Sequence, residues 1–240
     1  MGAASAVLRT SRHADTPLVE TPHSRRMVTL ADYEYADLID DQDKVRLLID
    51  PTSTYSRAAA AAMGRAMDDV IIAAALGASK TGKDGSTSTA FASGNIIAHG
   101  SAGLTIAKLL SAKEILDAGN VDPSIKRYCV ASPKQISDLL GTTQVTSSDF
   151  NTVKALAMGQ VSSYMGFEFI TSNRLSVDGS NRQVLAFAQD GIKLAVGKEP
   201  SSRIDERADK SYATQVYYCQ SIGATRMEEA KVVSILCAES

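Results

Sequence analysis

Pro51–Leu76, PTSTYSRAAAAAMGRAMDDVIIAAAL, is the strongest local signal in the chain. Asp50 can cap a helix here, and Pro51 suits the first helical position, where no N–H is needed. At about 100° per residue, Met63, Met67, Val70 and Ala74 share one stripe, with Arg57, Arg65, Asp68 and Asp69 on the other side. Arg65 is spaced to meet Asp68 and Asp69 at i+3 and i+4. Alanines fill much of the rest and favour helix and close packing. Gly77 follows as a stop. The segment therefore predicts a helix about 39 Å long at 1.5 Å per residue, a strut for the whole molecule.

Towards the C-terminus, residues 77–103 are rich in Gly, Ser and Thr and read as a loop with room for short strands. A second helix is predicted over Ile106–Ala118, ending at Gly119-Asn120. Arg127–Ala131 reads as a short strand, after which Ser132 caps a helix from Pro133 through Leu140 to Gly141. The pattern then turns to strands, the first at Phe167–Thr171. Asp178-Gly179 and Asp190-Gly191 are turn dipeptides, and the second predicts a hairpin between Val184–Ala188 and Ile192–Val196. Lys198–Lys210, with four basic and four acidic residues, reads as a mixed-charge connector. Val216–Ile222 and Lys231–Cys237 are the closing strands. There is no internal repeat and no run of heptads.

Towards the N-terminus, residues 1–30 lack periodicity and carry Arg9, Arg12, Arg25 and Arg26 against only Asp15 and Glu20. Pro17 and Pro22 force extended or turn geometry. The segment reads as an arm or hairpin-like loop that cannot make its own core; a disordered tail fits the composition equally. Residues 31–50 reverse the sign: Asp32, Glu34, Asp37, Asp40, Asp41, Asp43 and Asp50 outnumber Lys44 and Arg46. A basic stretch followed by an acidic one can pair within a chain or between neighbouring copies. Asp40-Asp41-Gln42-Asp43 lacks the Gly and Glu of a calcium loop and reads as a solvated helix start.

With 240 residues, 44% hydrophobic and 22% charged, the chain is an ordinary globular one with ample length for a core. A formal net charge of −2 supplies no overall basic field for gripping nucleic acid. Cys129, Cys219 and Cys237, with no Cys-x-x-Cys, read as reduced thiols. The longest uncharged stretch, Gly85–Ala107, holds four Gly and seven Ser or Thr and is too polar to span a bilayer. Gly77–Asp84 matches most of a P-loop, but a helix precedes it, a flexible stretch follows, and Asp84 replaces the magnesium-binding hydroxyl. His13, His23 and His99 stand at no metal-ligand spacing. Ser101, after His99-Gly100, lacks the first Gly of a nucleophile elbow. No pair of carboxylates is placed as general acid and base. The reading is of a protein that is not an enzyme, with no cofactor and no metal.

A charged extended arm, an acidic lead-in, a long Ala-rich helix, a mixed α/β region and closing strands follow one another here. The stretches RHADTPLVETPHSRR (Arg12–Arg26), DYEYADLIDDQDKVRLLIDPTS (Asp32–Ser53), MGFEFITSNRL (Met165–Leu175) and AFAQDGIKLAV (Ala186–Val196) carry the likeness. In order and extent, over roughly Arg9–Cys237, the chain resembles the major capsid proteins of tailed bacteriophages with the Hong Kong 97-like fold.

The resemblance implies an α+β, Hong Kong 97-like fold with an extended loop, a spine helix over 51–76 in a peripheral domain, and an α/β axial domain. The implied divisions are 1–30 for the N-terminal remnant and loop, 31–104 for the peripheral domain, 105–197 for the axial domain, and 198–240 for a return to the peripheral domain. Relatives usually carry an N-terminal arm ahead of the loop, where this chain has Met1–Leu8. The implied function is an icosahedral shell around double-stranded DNA, with the protein located in the virion after assembly in the host cytoplasm. Implied partners are further copies in hexamers and pentamers, a portal, scaffolding or decoration proteins, and packaged DNA held without sequence specificity; no membrane is involved. An encapsulin-type bacterial compartment shares the fold and is the alternative. Some shells of this fold are welded by a Lys–Asn bond from the extended loop; here the first lysine is Lys44, so no such covalent ladder is expected. Charge and position make Arg9, Arg12, Asp15, Glu20, Arg25, Arg26, Asp40, Asp41, Asp43, Arg203, Glu206 and Arg207 the candidate subunit-interface residues.

Overall fold

A single helix, α1 (Thr52–Leu76), runs for 25 residues and lies against a three-stranded antiparallel sheet. The computed structural model describes residues 6–13, 15–20, 23–40, 42, 52–141 and 163–239, so Asp50 and Pro51 lie outside the described residues. The expected stripe of α1 is only partly its buried face: Ala59, Met63, Ile72 and Ala75 are buried, while Met67, Val70 and Ala74 are half-buried. Asp69 is bonded to Arg174, across from the helix, rather than to its predicted partner Arg65.

The sheet against α1 joins β2 (Ala31–Ile39), β12 (Ala213–Arg226) and β11 (Ile192–Arg207), with β12 in the middle. Strand alternation sets its two faces. Val216, Gln220 and Ile222 of β12 are buried, and Gln220 Nε2 donates to the Met63 carbonyl at 3.1 Å, so the even positions of β12 face the helix. Tyr217 is half-buried on the other face, where its hydroxyl donates to Glu34 Oε1 at 3.0 Å. Both β2 and the second half of β11 are departures from the expected acidic lead-in and mixed-charge connector. Each is held as strand by pairing along β12: Ile39 through Ala31 on one side, Ser201 through Arg207 on the other.

A seven-stranded mixed sheet forms the larger core. Its path is β5 (Ile96–Ile97), β13 (Val232–Ala238), β10 (Asn181–Ala188), β6 (Arg127–Ala131), β8 (Phe167–Thr171) and β7 (Ser163–Tyr164), with β9 (Val177–Asp178) on β10. Helix α2 (Ile106–Ala118) buries Leu109, Ala112 and Leu116, and α3 (Pro133–Leu140) buries Ile136 and Leu139. These residues share one cluster with Cys129, Phe167, Val184, Leu185, Val233 and Ile235. Lys108 enters this core with its charge fully used: Nζ donates to the carbonyls of Ala102, Gly103 and Leu236 at 2.7, 2.8 and 2.9 Å. Ser132 precedes α3 as expected, but its hydroxyl meets the Gln135 side chain instead of capping the backbone.

Two topological expectations are corrected. Asp190-Gly191 does turn the chain, yet β10 and β11 are not a hairpin, because β10 pairs with β13 and β6 while β11 pairs with β12. The turn hands the chain from one sheet to the other. The closing strand β13 likewise joins the seven-stranded sheet beside β10 and does not complete the sheet packed on α1.

Candidate assembly surface

Residues 6–25, as far as they are described, are exposed throughout, and Val7, Leu8 and Leu18 stand 58%, 84% and 91% exposed. Such side chains gain nothing from the chain's own core. Arg9, Arg12, Asp15, Glu20 and Arg25 lie on this arm, all exposed; Arg9 Nε reaches only to the Ser11 carbonyl, at 3.0 Å. A cleft lined by Val7, Leu8, Arg9, Thr10, Asp15, Thr16 and Pro17 lies between two stretches of the arm.

Arg26 has a different role. It begins β1 (Arg26–Met27), which pairs with β3 (Ser79–Thr81), itself paired with β4 (Thr87–Thr89). Its Nε donates to the Met227 carbonyl at 2.9 Å and its Nη2 to Glu229 Oε2 at 2.6 Å, with the side chain only 9% exposed. The same Glu229 lies 3.4 Å from Arg226, whose fully buried guanidinium donates to the carbonyls of Ala75 and Gly77 at 2.8 and 2.6 Å. Arg226 thus caps the C-terminal end of α1, where carbonyls lack helical partners and a cation is favoured. It also lies 5.0 Å from the centre of the Phe91 ring. One carboxylate therefore joins the base of the arm to the end of the strut. The arginine pair read as two interface residues is one exposed residue and one internal anchor.

Past Met27 the chain crosses the far face of the β11–β12–β2 sheet. A Cβ at Gly223 would stand 2.4 Å from the Thr29 carbonyl oxygen, and one at Gly197 would stand 2.5 Å from Leu30. The two glycines form a notch that admits the segment joining β1 to β2. Sequence gave no sign of it, because neither glycine sits at a turn.

At the other end of the sheet, Arg203 and Glu206 are exposed on β11. Arg207 is half-buried and bound at the ribbon tip: Nε and Nη2 donate to Asp209 at 2.7 and 2.6 Å, and Nη1 to Gln215 at 2.9 Å. This pair holds the Asp209 carboxyl down at about 2. Asp40 is exposed at the end of β2, while Asp41 and Asp43 lie outside the described residues. Acidic Asp32, Glu34 and Asp37 are spread along β2, and the base of the basic arm finds its carboxylate at Glu229 instead.

The enzyme-like fragments resolve into structure. Gly77–Asp84 forms β3 and the turn towards β4 rather than a mobile loop. The Ser101 N–H donates to His99 Nδ1 at 3.0 Å within a turn. Cys129 and Cys237 are buried, and burial pushes both thiols up, Cys237 to about 11. Cys219 is the departure: Lys198 Nζ donates to its sulfur at 2.9 Å, and this bond draws its pKa down. Among the described residues no helix is long and apolar enough to cross a membrane.

The described residues thus comprise an exposed arm anchored at its base, a strut helix and three sheets. A family model for phage capsid proteins matches residues 1–239. The chain belongs to the phage capsid protein family. Solved structures share the fold at low identity. The capsid of cyanophage P-SCSP1u is 19% identical with a TM-score of 0.70, and the match covers 99% of this chain and 82% of that one. A structure from Mycobacterium phage Che8 is 18% identical, TM-score 0.65, covering 85% of this chain and 70% of that one. The capsid of a native GTA particle is 15% identical, TM-score 0.64, covering 96% and 80%. No curated protein matches the chain. As a phage capsid protein it is a structural component of the virion, and the encapsulin alternative is not favoured by these matches.

Proposed function

We propose that this phage capsid protein is the major shell subunit of a tailed bacteriophage, assembling as hexamers and pentamers into an icosahedral container for double-stranded DNA. The observation that carries the reading is the family match over nearly the whole chain, joined to an arm whose exposed leucines have no core of their own. In this reading Arg9–Leu30 is the extended loop lying over a neighbouring subunit. The sheet of β11, β12 and β2 with α1 is the peripheral domain; it draws on the proposed segments 31–104 and 198–240 and takes the start of β11, from Ile192, out of the segment between them. The seven-stranded sheet with α2 and α3 is the axial domain at the capsomer centre; it draws on 105–197, takes β5 from the segment before it and takes β13 from the closing segment. A portal and scaffolding or decoration proteins complete the particle, which forms in the host cytoplasm. A net charge of −2 suits a wall that contains DNA without gripping it.

Electron microscopy of the purified protein tests the reading. Closed shells, tubes or rings of uniform curvature are expected. A strictly monomeric protein over a wide range of concentration and salt, with any upstream sequence restored, would overturn it.

A further inference from the structure

Among the described residues the outer edge of β11 is unpaired, because the sheet order β11-β12-β2 gives β11 one neighbour, β12. An edge of this length presents a row of free N–H and C=O groups, and proteins guard such edges. The first half is guarded. Register shifts between Val196 and Lys198 and between Lys198 and Ser201 bend it, and Pro200 removes a donor there. The second half is regular from Ser201 to Arg207, with neither a bulge nor a proline; its only guard is its charges. Residues 202–206 are all exposed, and in their midst Ile204 is 49% exposed.

The charges on that half select a partner. Arg203 and Asp205 flank Ile204 on the face away from α1, since they pair with Tyr217 and Gln215, whereas Ile204 pairs with Val216 on the helix side. Opposed residues in an antiparallel ladder turn their N–H and C=O the same way. Two copies of one edge can therefore pair only in registers that oppose residues of like parity. Centred on Ile204, such a pair sets isoleucine against isoleucine, each Arg203 against the other copy's Asp205, and each Ser202 against the other's Glu206. Centred on Arg203, Asp205 or Glu206, it sets like charges directly opposite one another. The segment is self-complementary in one register and self-repelling in its neighbours, as an isologous contact requires.

We infer that two copies of this chain pair edge to edge through β11, antiparallel about a twofold axis at Ile204. The pairing rests on the reading of the chain as a shell subunit and gives that shell a contact separate from the arm. It adds strand to strand, so the main chain supplies the adhesion and Arg203 and Asp205 supply the register.

The test is Ile204→Cys in the full chain. At the axis the two Cα atoms would stand about 4.5–5.5 Å apart, within disulfide reach. Under oxidation the particles should yield dimers on a non-reducing gel, joined 204 to 204 by peptide mapping, while the wild type yields none. Arg203→Asp alone and Asp205→Arg alone should each cut the linked fraction about tenfold, and the double exchange should restore it. All these side chains are exposed, so melting should be unchanged, which a parallel thermal scan checks. Particles that form normally without the 204–204 link, or a double exchange no better than the singles, overturn the edge contact while leaving the shell reading intact. If wild-type particles never form, the shell reading fails, and the edge is read from the variant in solution: linked dimers support it and monomers overturn it.

Discussion

Arg25 and Arg26 share a charge and a peptide bond, and their surroundings divide them. Arg25 is exposed on the arm; Arg26 is held by Met227 and Glu229 with 9% of its side chain in contact with solvent. Glu229 also faces Arg226, whose buried charge depends on it for its only carboxylate among the described residues. Arg26→Glu would set a second carboxylate against Glu229 and leave the Met227 carbonyl without its donor. It should cost about 3 kcal/mol, in the range for breaking a buried ion pair. Arg25→Glu should stay within about 0.5 kcal/mol, as exposed substitutions do. Circular-dichroism melts of the two single variants measure the contrast, and equal melting temperatures would show that the anchor at Glu229 does not hold the base of the arm. Composition could not separate these two residues. What divides them is a contact with a residue more than two hundred positions away in the chain.

The elements were legible where local rules act alone. Ile106–Ala118, Arg127–Ala131, Pro133–Leu140 and Phe167–Thr171 have the same bounds in the sequence reading and in the structure, because caps, glycine stops and apolar runs set them locally. Ala31–Ile39 was missed although Tyr33, Tyr35, Asp37 and Ile39 alternate inward, since the acidic residues between them drew the reading towards a charged lead-in. The end of β11 was missed for a stronger reason: both of its faces are wet, so no hydrophobic period exists, and β12 alone makes it a strand. The hairpin at Asp190-Gly191 failed because a turn fixes the direction of the chain but not the identity of the next strand's partner. At the end of β13, Glu239 is bonded to Arg182 of β10 at 2.8 and 2.9 Å and to Gln135 of α3 at 3.0 Å, and these bonds hold its carboxyl down at about 2 from a usual 4.5. A carboxyl depressed on folding stabilises above its unfolded pKa and loses that contribution as pH falls through the folded value. The wild type should therefore exceed Glu239→Gln in stability by a constant margin above about pH 5, and the margin should close by about pH 2. Denaturant titrations of both proteins across that range check it; a margin independent of pH would mean that the ion pair does not form.

At the scale of the whole molecule, the core is built without the arm. The larger core draws on α2, α3 and the seven-stranded sheet, and the strut packs on the smaller sheet, while residues 6–13 and 15–20 enter neither. Val7, Leu8 and Leu18 remain outside, and burying such a side chain is worth about 1.5–3 kcal/mol when a surface is found for it. In a shell that surface is a neighbouring copy, and the gain repeats at every interface. The chain lacking residues 1–20 should then melt within about 0.5 kcal/mol of the full chain, as changes at exposed sites do. Its particle yield by sedimentation should fall steeply, while the anchored base at Arg26 and the notch at Gly223 stay intact. Substituting Leu8 and Leu18 by Ser should lower the yield in the same direction without shortening the arm. High salt should not mimic these variants, because the lost term is apolar and not screened. Normal particles from the truncated chain would place the shell's adhesion elsewhere. A collapsed melt would show that the arm belongs to the folded core, against its exposure over residues 6–13 and 15–20.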